Sequence, residues 1–309
     1  MGRVYAISIN TFREAVRDRV LYGVLGFATL VLLFALALAE LSLNQQARVV
    51  SDVGLASVSL FSVVIAVFLG SSLLYKEIER KTLYVILPKP IARWEFLAGK
   101  YFGIALTALV FIAIMGAVQL WVTAIQHRGP PVGLAALPLF AVGGLAVLLA
   151  RKIDVTALLL PWSLLLFVAS ALLARASGAS LWVPVASLAL VFGEVLVVSA
   201  VALLFSSFST PFLTGAFTLG IWLVGRSADE MITMRSRELA PALRSLMHGL
   251  GRVVPNFNLF VPGRHTLETH VANLGTPLLY VAQTLAYGVL YALVLMVIAS
   301  LIFRRRDLL

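Results

Sequence analysis

Few residues of this chain have the type and surroundings to do chemistry. Glu194 is the clearest, a carboxylate in the otherwise apolar stretch Val191-Phe192-Gly193-Glu194-Val195. Ionisable groups inside apolar helices mark transport paths or proton relays, because an unpaired charge there is costly. A relay or an ion-coupled carrier needs several such groups, and one is too few. Glu194 is therefore a candidate intramembrane polar site: it lines an interior, pairs with a group on another helix, or sits near the headgroups. His265 and His270 flank Glu268, but not at the spacing that puts two metal ligands on one helical turn. Gly99-Lys100 is followed by Tyr101 and belongs to no Gly-x-x-x-x-Gly-Lys-Ser/Thr phosphate loop. There is no Gly-x-Ser-x-Gly nucleophile elbow. With no cysteine, disulfides, thiolate metal sites and cysteine nucleophiles are excluded. No catalytic, cofactor-binding or metal-binding residue is expected, and the chain is not expected to be an enzyme.

The second informative cluster is Lys76 to Lys100, dense in charge and apolar at regular intervals. It holds Glu77, Glu79, Arg80, Thr82, Pro88, Pro90, Arg93, Trp94 and Lys100. Pro88 and Pro90 end one helix and begin another, since proline is tolerated in a first helical turn. From Ile91 a short helix is expected to present Ile91, Trp94 and Phe96-Leu97 beside Arg93 and Glu95. A solvated loop at the headgroups accounts for the charges, but not for a tryptophan and several large apolar residues following two prolines. A docking helix for a cytoplasmic partner accounts for both.

The elements that must hold these residues are membrane spans. Apolar residues make up 61% of the 309 and charged ones 12%, against roughly 45–50% and about 25% in soluble domains. The mean hydropathy is +1.00. A span needs about 20 apolar residues. Blocks of that order run from about Val20 to Ala39, Val53 to Tyr75, Tyr101 to Ile125, Val132 to Ala150, Val155 to Ala174, Leu181 to Phe205, Pro211 to Gly225 and Pro277 to Phe303. The expected fold is an all-α polytopic bundle of about eight spans in a single membrane domain. Val132–Ala174, interrupted by Pro138 and Gly143-Gly144, is either two full spans or re-entrant. Ala37-Leu38-Ala39 resembles a signal cleavage site, but the apolar run before it exceeds the roughly 7–15 residues of a signal peptide, so a retained helix is expected.

The net charge of +10 sits mostly at the ends of apolar blocks, which points to anionic lipid headgroups and not to nucleic acid. All five lysines, with Arg3, Arg13, Arg17, Arg19 and Arg304-Arg305-Arg306, fall on one side of an eight-span topology. That side is read as cytoplasmic, with both termini inside. The loop 226–276 then lies outside, although it carries six arginines. Within it Leu239, Leu243, Leu246, Met247 and Leu250 share a helical face, and Pro255 and Pro262 end the pattern, so a short helix at the outer membrane surface is expected. Residues 1–19 show a helical-period amphipathic pattern, an interfacial helix on the inner leaflet.

The Lys76–Lys100 segment resembles the permease subunits of ABC-2 type transporters, in the branch of the nitrous-oxide-reductase maturation permease and sodium-export-like permeases. Of the family pattern Glu-x-x-x-Gly-Thr, Leu-x-x-Pro-x-x-Arg, Gly-Lys, the residues Glu79, Thr82, Leu87, Pro90, Arg93 and Gly99-Lys100 stand in order, with Lys81 where glycine is usual and Glu79 three residues before Thr82 where the pattern has five. Glu194 with the run Ala202 to Ser209 resembles the family's fourth span, Thr11–Arg19 its interfacial helix, and Pro255–Phe260 its external loop before the last span. The family usually has six spans, so Val132–Ala174 reads as an extra pair. The resemblance implies the transmembrane half of an exporter-like system in a bacterial cytoplasmic membrane. A second permease copy, in a homodimer, and two separate ATPase subunits would complete it. ATP and Mg would be bound by the ATPase and no cofactor by this chain. The segment 76–100 would be the coupling element that sits in a groove of the ATPase and moves when the ATPase dimer closes. The rival readings, an ion-coupled secondary carrier and a membrane-embedded enzyme or assembly factor, require buried charge clusters or catalytic groups that the sequence does not show.

Overall fold

The computed structural model of the chain describes residues 2–41, 46–79, 92–127, 131–150, 155–233, 241–261 and 276–305. All regular structure among them is helical. The elements are α1 (Gly2–Arg17), α2 (Arg19–Glu40), α3 (Gln46–Glu79), α4 (Arg93–Gln126), α5 (Pro131–Ala150), α6 (Val155–Ala176), α7 (Trp182–Ser206), α8 (Pro211–Arg226), α9 (Ala228–Thr233), α10 (Pro241–Val253), a 3₁₀ turn (Phe257–Phe260) and α11 (Pro277–Arg305). At least six helices among the described residues are long and apolar enough to cross a bilayer: α2, α3, α4, α6, α7 and α11. The segments at α5 and α8 are also helical, over 20 and 16 residues.

Local chemistry explains the boundaries. Asp18 has extended backbone, and its carboxylate accepts from Val20 N at 3.1 Å, so it ends α1 and caps α2. Glu95 reaches back to Ala92 N at 3.0 Å, one half of a capping box, and starts α4 at Arg93. No proline follows before Gln126, so the expected short helix from Ile91 and the third span are one helix of 34 residues. At about 1.5 Å per residue this is roughly 51 Å, well beyond a hydrocarbon core of about 30 Å. The apolar run therefore marked all of the helix but its first two turns. Gly178, at φ +84°, ends α6: Ala179 N donates to Ala174 O and Gly178 N to Arg175 O, the paired bonds of a left-handed helix stop. Thr210 and Pro211 open α8 directly after α7.

The chain divides into two compact units. The second comprises Phe12–Ile65 and Ala105–Phe192. There α5 and α6 pack on the C-terminal part of α4: Leu120, Ala124, Ala174 and Ala179 form a buried cluster with Leu134 and Phe167 beside it. Trp121 Nε1 donates to Leu134 O at 3.1 Å, and Phe140 meets Trp162 at 4.6 Å. Gly54 lets α3 touch the Gln119 amide, which donates to Val50 O at 3.3 Å.

The first unit comprises Met1–Thr11, Ala66–Ile104 and Gly193–Leu309. In it α1 lies on α4 through two glycines one turn apart. A Cβ at Gly99 would stand 2.5 Å from Ile7 Cβ, and one at Gly103 2.5 Å from Thr11 Cβ. The N-terminal helix thus seats this face on protein, where an interfacial helix alone would place it in lipid. Burial separates the spans: 72% of the α7 window is enclosed against 17% for α11. Most of α11's side-chain surface is a row of exposed Leu, Val and Ile, as a lipid-facing helix requires.

Candidate functional site

Two polar constructions stand out in the first unit, and both are built where helices end. The first surrounds Glu194, half-way along α7 and fully buried. Trp222 and Arg226 lie one turn apart on α8 and reach the same carboxylate oxygen: Trp222 Nε1 donates to Glu194 Oε1 at 2.7 Å and Arg226 Nη2 at 2.8 Å. The guanidinium also stacks over the Trp222 ring at 5.1 Å. Arg226 is the last residue of α8, so its charge offsets the helix dipole as well as the carboxylate. Its side chain is 26% exposed while that of Glu194 is 0%, so the carboxylate is the member that needs the pair. A buried charge left without its partner is destabilising by about 3–5 kcal/mol, whereas the intact pair adds little over an apolar filling.

Beyond Arg226 the chain turns back. Gly225 is closed upon by Pro255 O and by Phe257, whose Cδ2 would lie 2.5 Å from an added Cβ. Asp229, on α9, accepts from Asn256 Nδ2 at 2.6 Å and Asn258 Nδ2 at 2.9 Å. Asn256 Oδ1 in turn accepts from Asn258 N at 3.0 Å and caps the 3₁₀ turn. Three tyrosines of α11 serve the backbone of this segment. Tyr291 donates to Val253 O at 2.7 Å and Tyr280 to Leu259 O at 2.6 Å, while Tyr287 Oη accepts from Asn256 N at 3.0 Å. Phe260 is buried with its ring between Gly193 of α7 and Gly288 of α11. The described part of 226–261 is therefore no free loop: it is bonded to the middle of α7 and the N-terminal half of α11. Buried irregular backbone needs its peptide groups satisfied, and the tyrosines satisfy three of them.

The second construction is the start of α4. Arg93 Nη1 donates to Phe303 O at 3.0 Å and Arg304 O at 2.8 Å, two of the carbonyls that the end of α11 leaves without helical partners. Phe96 stacks on Phe303 at 6.3 Å, and Leu97 is buried with them. Arg3 approaches Glu95 at 3.8 Å, an exposed pair worth little by itself. Trp94 points away from all this and is 57% exposed.

The sequence profile of the ABC-2 family transporter proteins matches residues 5–308. This chain belongs to the ABC-2 family. No curated protein matches it. ABC-2 membership is that of a membrane-embedded, permease-like protein, and no group of residues fit to hold a metal ion occurs among the described residues.

Within this ABC-2 chain the expected docking residues separate. Arg93 and Trp94 occupy the first turn of α4, where Arg93 is engaged with α11 and Trp94 is presented outward. Phe96 and Leu97, expected on the presented face, are instead buried against Phe303, because a continuous α4 turns that side towards α11. Lys100 is buried too, its Nζ 5.8 Å over the Phe96 ring. Glu77 and Glu79 lie on the last turns of α3, and their side chains are outside the described set. Arg80, Thr82, Pro88 and Pro90 fall outside the described residues, as do Glu268, His265, His270, Leu239 and Pro262. The helix expected around Leu243–Leu250 forms as α10 and stops two residues short of Pro255. Sequence reasoning missed Arg226, Trp222, Asp229 and the tyrosines of α11. The available signals were the i, i+4 Trp-Arg pair closing a short apolar run and the 7 and 4 spacing of Tyr280, Tyr287 and Tyr291.

Proposed function

We propose that this chain is the membrane-spanning permease half of an exporter-like ABC-2 system, in the branch of the nitrous-oxide-reductase maturation and sodium-export-like permeases. It works as a homodimer in a bacterial cytoplasmic membrane with two separate ATPase subunits, which bind ATP and Mg. The spans number eight, six in the core and α5–α6 as an added pair. Both termini lie inside, and the segment 226–261 re-enters from the outer side. Residues 76–100 form the coupling element, with Trp94 as its projecting contact.

The observation that carries this reading is the exposed Trp94 on an immobilised turn, in a chain that matches the ABC-2 family over nearly its whole length. An exposed tryptophan on rigid backbone is the usual anchor of a protein interface. Arg93, Phe96 and Leu97 hold the turn from behind, so a push on Trp94 acts on the helix and is not lost in a loop. The test is co-purification with an ATP-binding subunit. Trp94→Glu is expected to reduce recovery of the ATPase at least tenfold, the loss of about 1.4 kcal/mol or more of binding, while the permease stays monodisperse. Full recovery with Trp94→Glu overturns the docking assignment, and absence of any ATPase from the parent preparation overturns the function.

A further inference from the structure

One helix of the first unit bonds both constructions. At its C-terminal end α11 is gripped by Arg93, through the carbonyls of Phe303 and Arg304, and by Phe96 on Phe303. In its N-terminal half Tyr280, Tyr287 and Tyr291 hold the Val253–Leu259 backbone, and Gly288 seats Phe260. Both grips fall on one helix of 29 residues with no proline after the first position. Such a helix moves as a rod, since kinks need a proline, a π-bulge or an inserted group. Trp94 is the neighbour of Arg93 on the same turn.

We propose that Arg93, Tyr287 and Tyr291 are positioning residues that make α11 the link between the Trp94 turn and the Pro255–Phe260 segment, so that displacement of the turn by the ATPase shifts that segment. This rests on the functional reading above. The contacts have the form a link needs. At one end a charge-assisted fork binds the helix terminus and an aromatic stack opposes sliding. At the other, three hydroxyls spaced along the rod fix a segment whose irregular backbone has little to hold its shape alone. The Cε1 edge of Phe260 is packed closely against both Gly193 and Gly288, so a shift of α11 along α7 moves the ring with it or drives it from the seat. Packed seats of this kind switch between discrete arrangements.

The absence of native cysteine allows a direct test in the intact permease–ATPase complex. Val261, exposed beside Phe260, is replaced by cysteine. Its rate of reaction with a membrane-impermeant maleimide is measured on the purified complex in nanodiscs, without nucleotide and after trapping with ATP and vanadate. Trapping is expected to change the parent rate about fivefold or more, the low end of ordinary allosteric coupling. Tyr291→Phe is expected to remove most of that change while complex recovery and vanadate trapping persist, and Arg93→Ala, compared per unit of complex recovered, is expected to remove most of it as well. Arg93→Lys, which keeps a cation at the α11 carbonyls, is expected to restore it. A purely structural role predicts altered yield with the nucleotide response intact. The link is overturned if the Arg93→Ala/Tyr291→Phe double variant keeps the full response, or if the parent shows none. Failure of the parent to form any complex overturns the functional reading instead, and the link with it.

Discussion

The ring of Phe260 makes Gly288 a position where alanine should change sign with its surroundings. A Cβ at Gly288 would lie 3.0 Å from Phe260 Cζ and 3.2 Å from Cε1, and its next neighbour, Gly193 O, is at an ordinary 3.5 Å. The ring is buried, and its Cε1 edge is already packed against Gly193 as well as Gly288. Overpacking of this kind costs about 1–3 kcal/mol. Against it, alanine in a helix interior gains about 0.8–1.0 kcal/mol over glycine. Gly288→Ala in the parent is therefore expected to destabilise by about 1 kcal/mol. Phe260→Ala alone is expected to cost about 3–5 kcal/mol, the usual loss for a buried phenylalanine. In that background no clash remains, and Gly288→Ala is expected to stabilise by up to about 1 kcal/mol. The cycle then closes with a coupling of about 1–3 kcal/mol, as residues in direct contact give. Reversible unfolding in bicelles by steric trapping measures all four corners. Equal effects of Gly288→Ala in both backgrounds, within about 0.5 kcal/mol, refute the seating of Phe260 against α11.

Two further outcomes follow from named contacts. Arg226→Ala is expected to destabilise by about 3 kcal/mol, more than Glu194→Gln at about 1 kcal/mol. The first strands a fully buried carboxylate, while the second leaves a partly exposed cation and an amide oxygen that still accepts from Trp222; the same unfolding assay checks the order, and equal costs contradict it. Lys152→Cys, between α5 and α6, is expected to react with impermeant maleimide only from the cytoplasmic face of inverted vesicles if both helices cross the bilayer, and reaction from the outer face alone would remove the extra pair of spans.

The sequence made the spans legible because a bilayer imposes one dominant requirement, an apolar run of sufficient length. α2, α3, α4, α6, α7 and α11 all stand where such runs occur. Their ends were less legible, since charged residues interrupt an apolar run while the helix continues: Arg93 to Lys100 reads as a separate docking helix until the backbone shows α4 unbroken to Gln126. Glu194 was legible as a lone charge, but its partner was not. Arg226 is 32 residues away, at the end of a run too short to be an ordinary span, and pairing across that distance depends on the height at which α8 stops. The burial of Phe96, Leu97 and Lys100 was invisible for a similar reason. Nothing local distinguishes an aromatic offered to a partner from one stacked on Phe303 more than two hundred positions later. The two glycine seats, Gly99 with Gly103 for α1 and Gly193 with Gly288 for Phe260, were visible as residues but not as seats.

The tyrosines that satisfy the Val253–Leu259 backbone all lie downstream of it in the chain. During synthesis Arg226 follows Glu194 by 32 residues, but the carbonyls of Val253 and Leu259 must wait for a helix that the ribosome has not yet made. An unmatched peptide group is costly away from water, so this stretch takes its bonded form only when α11 arrives. The order of translation thus becomes an order of assembly: a later helix completes a piece of structure translated before it.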